Sequence, residues 1–243
     1  MNGRMRIDRL LVERGLFESR AKAQAAIDAG LVIADGVPVG KASDTIPRDA
    51  ALTATPAHPF VSRGGVKLAA ALDQFRFDPK GCICLDVGTS TGGFTQVLLA
   101  REALRVYAVD VGHGQLHPSL RTHPGVVSLE GMDVRRLHAA SLAATFDFIT
   151  IDVSFIPLAL VLPPALALAR SGAHLIALIK PQFEAGRGAV KKGIVRDPTM
   201  HAAVCESVSA LVGSLGWRVT GLMPSPILGG DGNREFLLGG VRD

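Results

Sequence analysis

The sequence has little cysteine, and its cysteines are not arranged for disulfide or metal chemistry. Three cysteines occur in 243 residues, and this odd number provides no disulfide framework. Cys82 and Cys84 are separated by one residue within an apolar run, which is not the usual spacing of a metal or redox site. We therefore expect buried strand cysteines and no bound metal.

The sequence also lacks a long hydrophobic run and a secretory signal. Its longest apolar stretch, residues 158–169, is too short to span a bilayer and contains two adjacent prolines. Arg4, Arg6 and Arg9 open the chain, but no apolar segment of the signal-peptide type follows them. Hydrophobic residues make up 48% and charged residues 20%, a balance typical of globular proteins. These features predict a cytoplasmic globular protein without a membrane partner.

The excess of positive charge is small but unevenly distributed. The net charge is +4, and residues 1–22 contain six basic residues against three acidic ones. In residues 23–55 the balance reverses, with two basic residues against four acidic ones. The concentration of positive charge near the start indicates an anionic partner for the first helices.

The first part of the chain has the pattern of a small α+β domain. Apolar residues at helical spacing predict a helix that ends near Gly15. Ser19 can cap a second helix that ends near Gly30. The pair Asp35-Gly36 lies between alternating apolar residues, which predicts a β-hairpin. This segment is too small to bury a large core.

The composition changes at residues 53–60, where TATPAHPF has the character of a linker. We therefore predict a front domain of residues 1–55, a linker of residues 56–63 and a second domain of residues 64–243.

The second domain alternates apolar runs with helical patterns. The predicted strands are residues 82–87, 105–111, 126–129, 148–153, 174–179, 217–223 and 235–238. The predicted helices include residues 93–101, 157–169 and 199–215. This alternation predicts an α/β fold with an open, mostly parallel seven-stranded sheet, which binds ligands at the carboxyl ends of its strands.

A glycine-rich turn follows the first of these strands. Its sequence is LDVGTSTGGFT at residues 85–95, and the glycines allow the backbone to approach a ligand closely. Asp110 ends the next strand, where comparable folds place an acid on ribose hydroxyls. The turn has neither the Gly-Lys-Ser/Thr of a phosphate-binding loop nor the Gly-x-Gly-x-x-Gly of a dinucleotide site.

Four charged residues lie at predicted strand ends or element starts. They are Lys67 in SRGGVKL, Asp152 in IDVSF, Lys180 in IKPQFE and Glu235 in GNREF. A lysine at the end of a buried strand needs a partner or a chemical role. A ribose hydroxyl is a poor nucleophile until it loses its proton, and a lysine can accept that proton when burial or another cation lowers its pKa.

The front domain resembles the S4 RNA-binding domain. The resemblance is carried by Arg6 and Arg9, by the Ser19-Arg20 pair and by the hairpin at residues 30–36. It implies an α+β fold whose helices present guanidinium groups to RNA phosphates.

The loop GRGAVKKGIVR, at residues 186–196, is either a second RNA contact or a solvated loop. The predicted RNA-binding residues are Arg4, Arg6, Arg9, Arg20, Lys22, Arg63, Arg187, Lys191 and Lys192, with Arg196 beside them.

The glycine-rich turn resembles the first motif of class I methyltransferases, as it occurs in the FtsJ-like ribose methyltransferases. This resemblance implies a Rossmann-like fold and S-adenosylmethionine as cofactor. For Asp133, contact with adenine and a helix N-cap are equally good interpretations. The residues assigned to the cofactor are Asp86, Gly88, Ser90, Thr91, Gly92, Gly93, Phe94, Asp110 and Asp133.

The order Lys67, Asp152, Lys180, Glu235 resembles the catalytic tetrad of the same methyltransferases. It implies that Lys180 acts on the 2′-hydroxyl, that the two acids orient and tune it, and that Lys67 completes the network. Together with the S4-like domain, these motifs resemble the TlyA family, described as rRNA cytidine-2′-O-methyltransferases and often labelled hemolysin A. The expected substrate is ribosomal RNA or a ribosomal subunit, and the oligomeric state is left open.

Three other functions are alternatives. A hemolysin would need a membrane element, and an RNA-binding assembly factor would not need the tetrad. A base-directed methyltransferase would usually need a catalytic cysteine or an Asn/Asp-Pro-Pro motif after the fourth strand, where the sequence has IDVSF. Phe155 in that segment either stacks on a flipped base or packs in the core.

Overall fold

The computed structural model describes residues 3–138, 142, 144–186, 190, 193–229 and 232–243. The chain divides into two compact units, Met1–Pro59 and Phe60–Asp243.

The front unit is built from two short helices and short antiparallel strands. Ser19 caps the second helix by accepting a hydrogen bond from the backbone N–H of Lys22. The predicted hairpin is present, and Asp35 and Gly36 both have positive φ, as a type I′ turn requires. Strands β1, β4 and β5 were not predicted. The elements are β1 (Arg4–Arg6), α1 (Ile7–Glu13), α2 (Arg20–Asp28), β2 (Val32–Ala34), β3 (Val37–Pro38), β4 (Thr45–Pro47) and β5 (Leu52–Ala54).

The second unit is an α/β domain with all seven predicted strands. Its first helix, α3, was not predicted. The elements are α3 (Gly64–Phe75), β6 (Ile83–Val87), α4 (Gly93–Ala100), β7 (Arg105–Asp110), α5 (Pro118–Arg121), β8 (Val126–Glu130), a 3₁₀ turn (Val134–Arg136), β9 (Phe146–Ile151), α6 (Leu158–Leu166), β10 (Ala169–Ile179), α7 (Pro181–Glu184), α8 (Pro198–Ser214), β11 (Trp217–Pro224) and β12 (Phe236–Arg242).

The seven strands form one sheet in the order β11-β12-β10-β9-β6-β7-β8. Strands β10, β9, β6, β7 and β8 are parallel, so their carboxyl ends lie at one edge. Strand β12 is antiparallel to β10, with Phe236 paired to Ile179. Glu235, which precedes β12, therefore lies at the same edge of the sheet as Lys180, which follows β10. This topology brings distant parts of the sequence together at the ligand-binding edge.

Apolar side chains cover both faces of the sheet. Helices α6 and α8 contribute Leu162 and Val212 to one core, and helices α3 and α4 contribute Leu68 and Leu98 to the other. All four side chains are completely buried, and each such burial stabilises the fold by about 1.5–3 kcal/mol. Within the described residues, no helix is both long and apolar enough to cross a membrane.

Two predicted boundaries in this unit are wrong. The helix expected at residues 157–169 ends at Leu166, and β10 begins at Ala169 instead of residue 174. At the start of β10, Ala169 pairs with Phe146 of β9. The register then shifts before His174 pairs with Phe148. The apolar run extends from the helix to the first residue of β10, and the polar segment at residues 170–172 then interrupts the strand pattern, so periodicity marks neither boundary.

Candidate active site

Lys180 follows β10 and forms an ion pair with Asp152, which follows β9. Its Nζ lies 2.6 Å from Oδ1 of Asp152 and donates a hydrogen bond of 2.8 Å to Oγ of Ser154. Lys180 is 9% exposed, so its amine is largely removed from bulk water. Two anchors from one loop therefore fix the position of this nitrogen at the edge of the sheet.

Lys67 and Glu235 form a second ion pair at the same edge. Nζ of Lys67, on α3, lies 2.5 Å from Oε2 of Glu235, which precedes β12. Both residues are buried, at 7% and 4% exposure. A Cβ atom on Gly229 would lie 2.0 Å from Oε1 of Glu235, so the backbone there closes directly over the carboxylate. The structure thus pairs the four predicted residues as two lysine–acid couples.

A cavity of about 500 Å³ opens beside Asp152 at the carboxyl ends of the parallel strands. Its walls are mostly apolar, and its volume lies within the usual range for small-molecule sites. Three carboxylates, those of Asp110, Asp133 and Asp152, also line it. This donor set suits a ligand that combines an apolar body with positive charge, as S-adenosylmethionine does with its sulfonium and ammonium groups.

Four of the predicted cofactor residues line this cavity: Gly88, Ser90, Asp110 and Asp133. The backbone N–H groups of Ser90 and Gly112 each donate to the carboxylate of Asp110 over 2.7 Å. Gly88 has φ +83°, and a Cβ atom on it would lie 2.3 Å from the backbone oxygen of Asp152. Only glycine fits there, because both the dihedral and the space exclude a side chain.

Asp133 caps the 3₁₀ turn and also lines the cavity. Its carboxylate caps the 3₁₀ turn by accepting from the N–H of Arg135, and it pairs with the guanidinium of the same residue at 2.6 Å. The side-chain hydrogen bond from Arg135 lowers the pKa of Asp133. The carboxylate is therefore charged while it faces the cavity.

The other predicted cofactor residues are not part of the cavity lining and pack against neighbouring elements. Phe94 is 3% exposed and belongs to the core beneath α3 and α4. A Cβ atom on Gly92 would lie 2.3 Å from Leu120, and one on Gly93 would lie 2.2 Å from Oγ of Ser62. Thr91 accepts a backbone hydrogen bond from His117. These contacts pack the loop against its neighbours, and the direct contact of these residues with the cofactor stays a prediction.

Asp86 is also placed beneath the loop rather than in the cavity. It is completely buried, and its two oxygens accept hydrogen bonds from Thr95 at 2.6 Å and Thr150 at 2.9 Å. Burial raises the pKa of Asp86 to about 6, against the opposing effect of the two hydroxyls. Asp86 therefore ties α4 and β9 to β6.

Asp86→Asn is expected to stabilise the protein above pH 6. A carboxyl whose pKa is raised by folding contributes stability fully below its unfolded pKa of about 4 and loses it as the pH rises through about 6. A neutral amide removes that loss, and each hydroxyl can donate or accept. We expect a gain of roughly 2–3 kcal/mol in the free energy of unfolding at pH 8, absent at pH 4.

Urea unfolding of both proteins at the two pH values measures this difference. Asp78→Asn, which changes an exposed aspartate of the same unit, controls for the loss of one negative charge. A variant less stable than the parent at pH 8 would show that the charged carboxylate is required by the fold.

Sequence reasoning missed several residues at this site. Ser154, which accepts a hydrogen bond from Lys180, lies two residues after Asp152. Its closeness to Asp152 in the sequence could have indicated that it belongs to the site. Val111 follows Asp110 and is 69% exposed at the cavity. Further cavity residues that were missed are Val87, Val109, Gln115, Met132, Val134, Arg135, Val153, Ile156 and Val161.

Phe155 does not pack in the core. It is 90% exposed, lines the cavity and has φ +66°. Its ring lies 5.0 Å from that of Phe183, measured between centroids. A left-handed backbone at a bulky residue costs about 1–3 kcal/mol, so an exposed ring held this way indicates a functional role.

The predicted RNA-binding residues that the structure describes are on the surface, but several have partners. Arg6 and Arg20 both contact Asp8, Lys22 pairs with Glu18 at 2.6 Å, and Arg4 donates to the backbone oxygen of Thr45. A separate group is exposed: Arg9, Arg63 and Arg196. Arg187, Lys191 and Lys192 lie outside the described residues.

Two family models match the chain. That of the FtsJ-like methyltransferases matches residues 60–242, and that of the S4 domain matches residues 5–51. YqxC of Bacillus subtilis is 48% identical over 237 residues, which cover 96% of this chain and 84% of that protein.

Two further relatives agree with these matches. The 16S/23S rRNA (cytidine-2′-O)-methyltransferase TlyA of Mycobacterium tuberculosis is 43% identical over 241 residues, which cover 98% of this chain and 90% of that protein. A solved structure described as a hemolysin from Streptococcus thermophilus is 40% identical and covers 100% of this chain and 90% of its own, with a TM-score of 0.79.

The site and the comparisons agree on the chemistry. The cavity lining suits S-adenosylmethionine, the four predicted tetrad residues form two ion pairs at one edge of the sheet, and the matched models cover both units. The chain belongs to the TlyA family of FtsJ-like methyltransferases with an S4 domain, and its cofactor is S-adenosylmethionine.

Proposed function

We propose that this chain transfers a methyl group to the 2′-hydroxyl of a cytidine in ribosomal RNA. The observation that carries the proposal is the position of Lys180, whose amine is held by Asp152 and Ser154 beside the cofactor cavity. A relative that covers 98% of this chain is named for cytidine-2′-O methylation. RNA binding falls to residues 1–55 and methyl transfer to residues 64–243, joined by residues 56–63.

The cofactor supplies a methyl group activated by a positively charged sulfur. Asp110 would hold the ribose hydroxyls of the cofactor, and Asp133 its adenine amino group. Lys180 would accept the proton of the 2′-hydroxyl, which would leave the ribose oxygen able to take the methyl group that the bound cofactor supplies. Asp152 stabilises the charged lysine that results, because its carboxylate lies 2.6 Å away.

Lys67 and Glu235 form a buried ion pair at the same edge of the sheet as Lys180. The pair is buried and its charges cancel, so it adds little net field. Its contribution is to fix α3 and the segment before β12 next to the end of β10. Such fixed positions matter because methyl transfer requires the oxygen, carbon and sulfur to be in line.

Phe155 provides a surface on which the target base can stack. The ring is exposed at the cavity and is braced by Phe183. Enzymes that act on one nucleotide of a folded RNA move it out of its stack and hold the base on aromatic side chains. The same geometry keeps the ribose of that nucleotide near Lys180.

Phe155→Ala is expected to lower kcat/KM for RNA by about 5- to 100-fold, because base–aromatic stacking contributes roughly 1–3 kcal/mol. Its affinity for S-adenosylmethionine should change less, because the ring is 90% exposed and other residues form most of the cavity lining. Steady-state methyl transfer and calorimetric cofactor binding measure the two effects. Leu160→Ala removes another exposed apolar side chain and should leave kcat/KM unaltered, whereas an equal loss in both variants would argue against stacking.

The RNA partner is proposed to be a ribosomal subunit in the cytoplasm. Exposed arginines occur on both units, at Arg9, Arg63 and Arg196, and basic side chains neutralise RNA phosphates. Arg187, Lys191 and Lys192 complete the proposed RNA contacts of the second unit.

The test is methyl transfer to unmodified ribosomal subunits and to free rRNA. The purified chain is incubated with labelled S-adenosylmethionine beside Lys180→Ala, and the product nucleotide is mapped. A 2′-O-methyl cytidine that is absent from the Lys180→Ala reaction supports the proposal. A methyl group on a base supports the base-directed alternative, and RNA binding without transfer supports an assembly factor.

A further inference from the structure

Asp8 is a buried acid in the middle of the basic face of the front unit. It is 2% exposed, whereas the side chains of its partners Arg6 and Arg20 are 42% and 54% exposed. An acid among RNA-binding arginines lowers the positive charge of the face, so its position requires an explanation.

Five donors surround the carboxylate of Asp8. Arg6 donates through Nε and Nη2, both at 3.1 Å, and Arg20 through Nε at 3.0 Å and Nη2 at 2.5 Å. The backbone N–H of Arg9 adds a fifth contact at 2.9 Å. Burial by itself raises the pKa of Asp8, but the hydrogen bonds from the two arginines outweigh it and lower the pKa to about 2. The carboxylate is thus charged and saturated.

The two arginines come from different elements. Arg6 ends β1 and precedes α1, while Arg20 begins α2. Because both bind one carboxylate, their guanidinium groups are held side by side at the starts of the two helices. Asp8 occupies two of the five N–H groups of each guanidinium. The remaining donors belong to partly exposed groups whose rotation is already restricted.

We propose that Asp8 positions Arg6 and Arg20 as a fork that binds one backbone phosphate of the RNA. Two planar guanidinium groups fixed side by side match the oxygens of a phosphate better than two mobile ones. Their ordering occurs on folding, so less freedom is lost when RNA binds. The inference rests on the proposed function and adds the phosphate site and its positioning residue.

The test asks whether removing the charge of Asp8 strengthens or weakens RNA binding. Asp8→Asn adds one unit of net positive charge, so general electrostatics predicts tighter RNA binding, whereas loss of the fork predicts weaker binding. Asp28→Asn makes the same change at an exposed position of the same unit. With the full chain and unmodified rRNA, we expect about tenfold weaker binding for Asp8→Asn and a change within about twofold for Asp28→Asn.

Two further variants separate positioning from folding. Arg20→Lys keeps the charge but not the planar fork, and at a half-exposed position it leaves the fold intact. We expect it to weaken binding by at least about threefold, and Arg20→Ala by about tenfold. In the Arg20→Ala background, Asp8→Asn should have little additional effect on binding, because both changes disrupt the same pair of guanidinium groups. Thermal unfolding of each variant monitors the fold.

Wild-type affinity in Arg20→Lys, or equal or tighter binding in a folded Asp8→Asn, would overturn the fork. Independent losses in Asp8→Asn and Arg20→Ala would also overturn it. Failure of the proposed function would appear elsewhere, as absence of methyl transfer by the unaltered chain. The two failures are therefore distinguishable.

Discussion

Lys180→Met is expected to reduce kcat for methyl transfer by about 10²- to 10⁴-fold, the usual contribution of a positioned proton acceptor. The change removes Nζ, so neither Asp152 nor Ser154 holds a base near the ribose. S-adenosylmethionine binding should change only a few-fold, because the cofactor cavity is lined by other residues. Single-turnover transfer at saturating rRNA, together with calorimetric cofactor binding, measures both quantities.

Two substitutions show whether Lys180 acts through its charge or through proton transfer. Lys180→Arg retains a cation that can pair with Asp152 but cannot give up its proton, so it should be as inactive as Lys180→Met. Lys80→Met removes an exposed lysine paired with Glu102 and should keep full activity. Recovery of more than about a tenth of the rate in Lys180→Arg would contradict proton transfer and favour a charge-only role.

Lys67→Met is expected to destabilise the second unit by about 3–5 kcal/mol, because it leaves the buried carboxylate of Glu235 without a counter-charge. For a unit of this size, the loss corresponds to a decrease in Tm of roughly 10 °C. Thermal unfolding followed by circular dichroism at constant protein concentration is the measurement.

A double-mutant cycle separates the ion pair from its surroundings. Lys67→Met combined with Glu235→Gln removes both charges and should recover much of the lost stability, since the isolated buried charge is gone. Methyl transfer should remain low in the double variant because the geometry around Lys180 is not rebuilt. Additive losses of stability would mean that the two side chains do not depend on each other.

Much of the fold could be predicted because it depends on local patterns. Buried strands appear as apolar runs, and Ser19 and Asp35-Gly36 act through short-range hydrogen bonds and turn dihedrals. Strands β1 and β4 have only three residues each, and their pairing joins residues about 40 positions apart. Such pairings depend on the tertiary fold, which has no short-range signal.

The site also contains residues that local sequence patterns indicate and residues that only the tertiary fold brings together. The residue types at the strand ends indicated Lys180 and Asp152, since parallel strands end at one edge. The partnership of Lys67 with Glu235 spans 168 positions and required the structure. In the glycine-rich turn, sequence did not distinguish glycines that face the ligand from those that face other elements. Gly88 lines the cavity and also makes room for the backbone of Asp152, whereas Gly93 makes room for Ser62.

The close contact between Gly88 and the backbone of Asp152 limits how this enzyme can be altered or can evolve. A larger residue at position 88 would displace the cofactor turn and the acid beside Lys180 together. The part of the cavity formed by Gly88 and Asp152 therefore has no room for a side chain at position 88. Val111 and Met132 also line the cavity, and their side chains can change in size without moving this turn. Substitutions that reshape the cavity would therefore be tolerated at such lining side chains and not at Gly88.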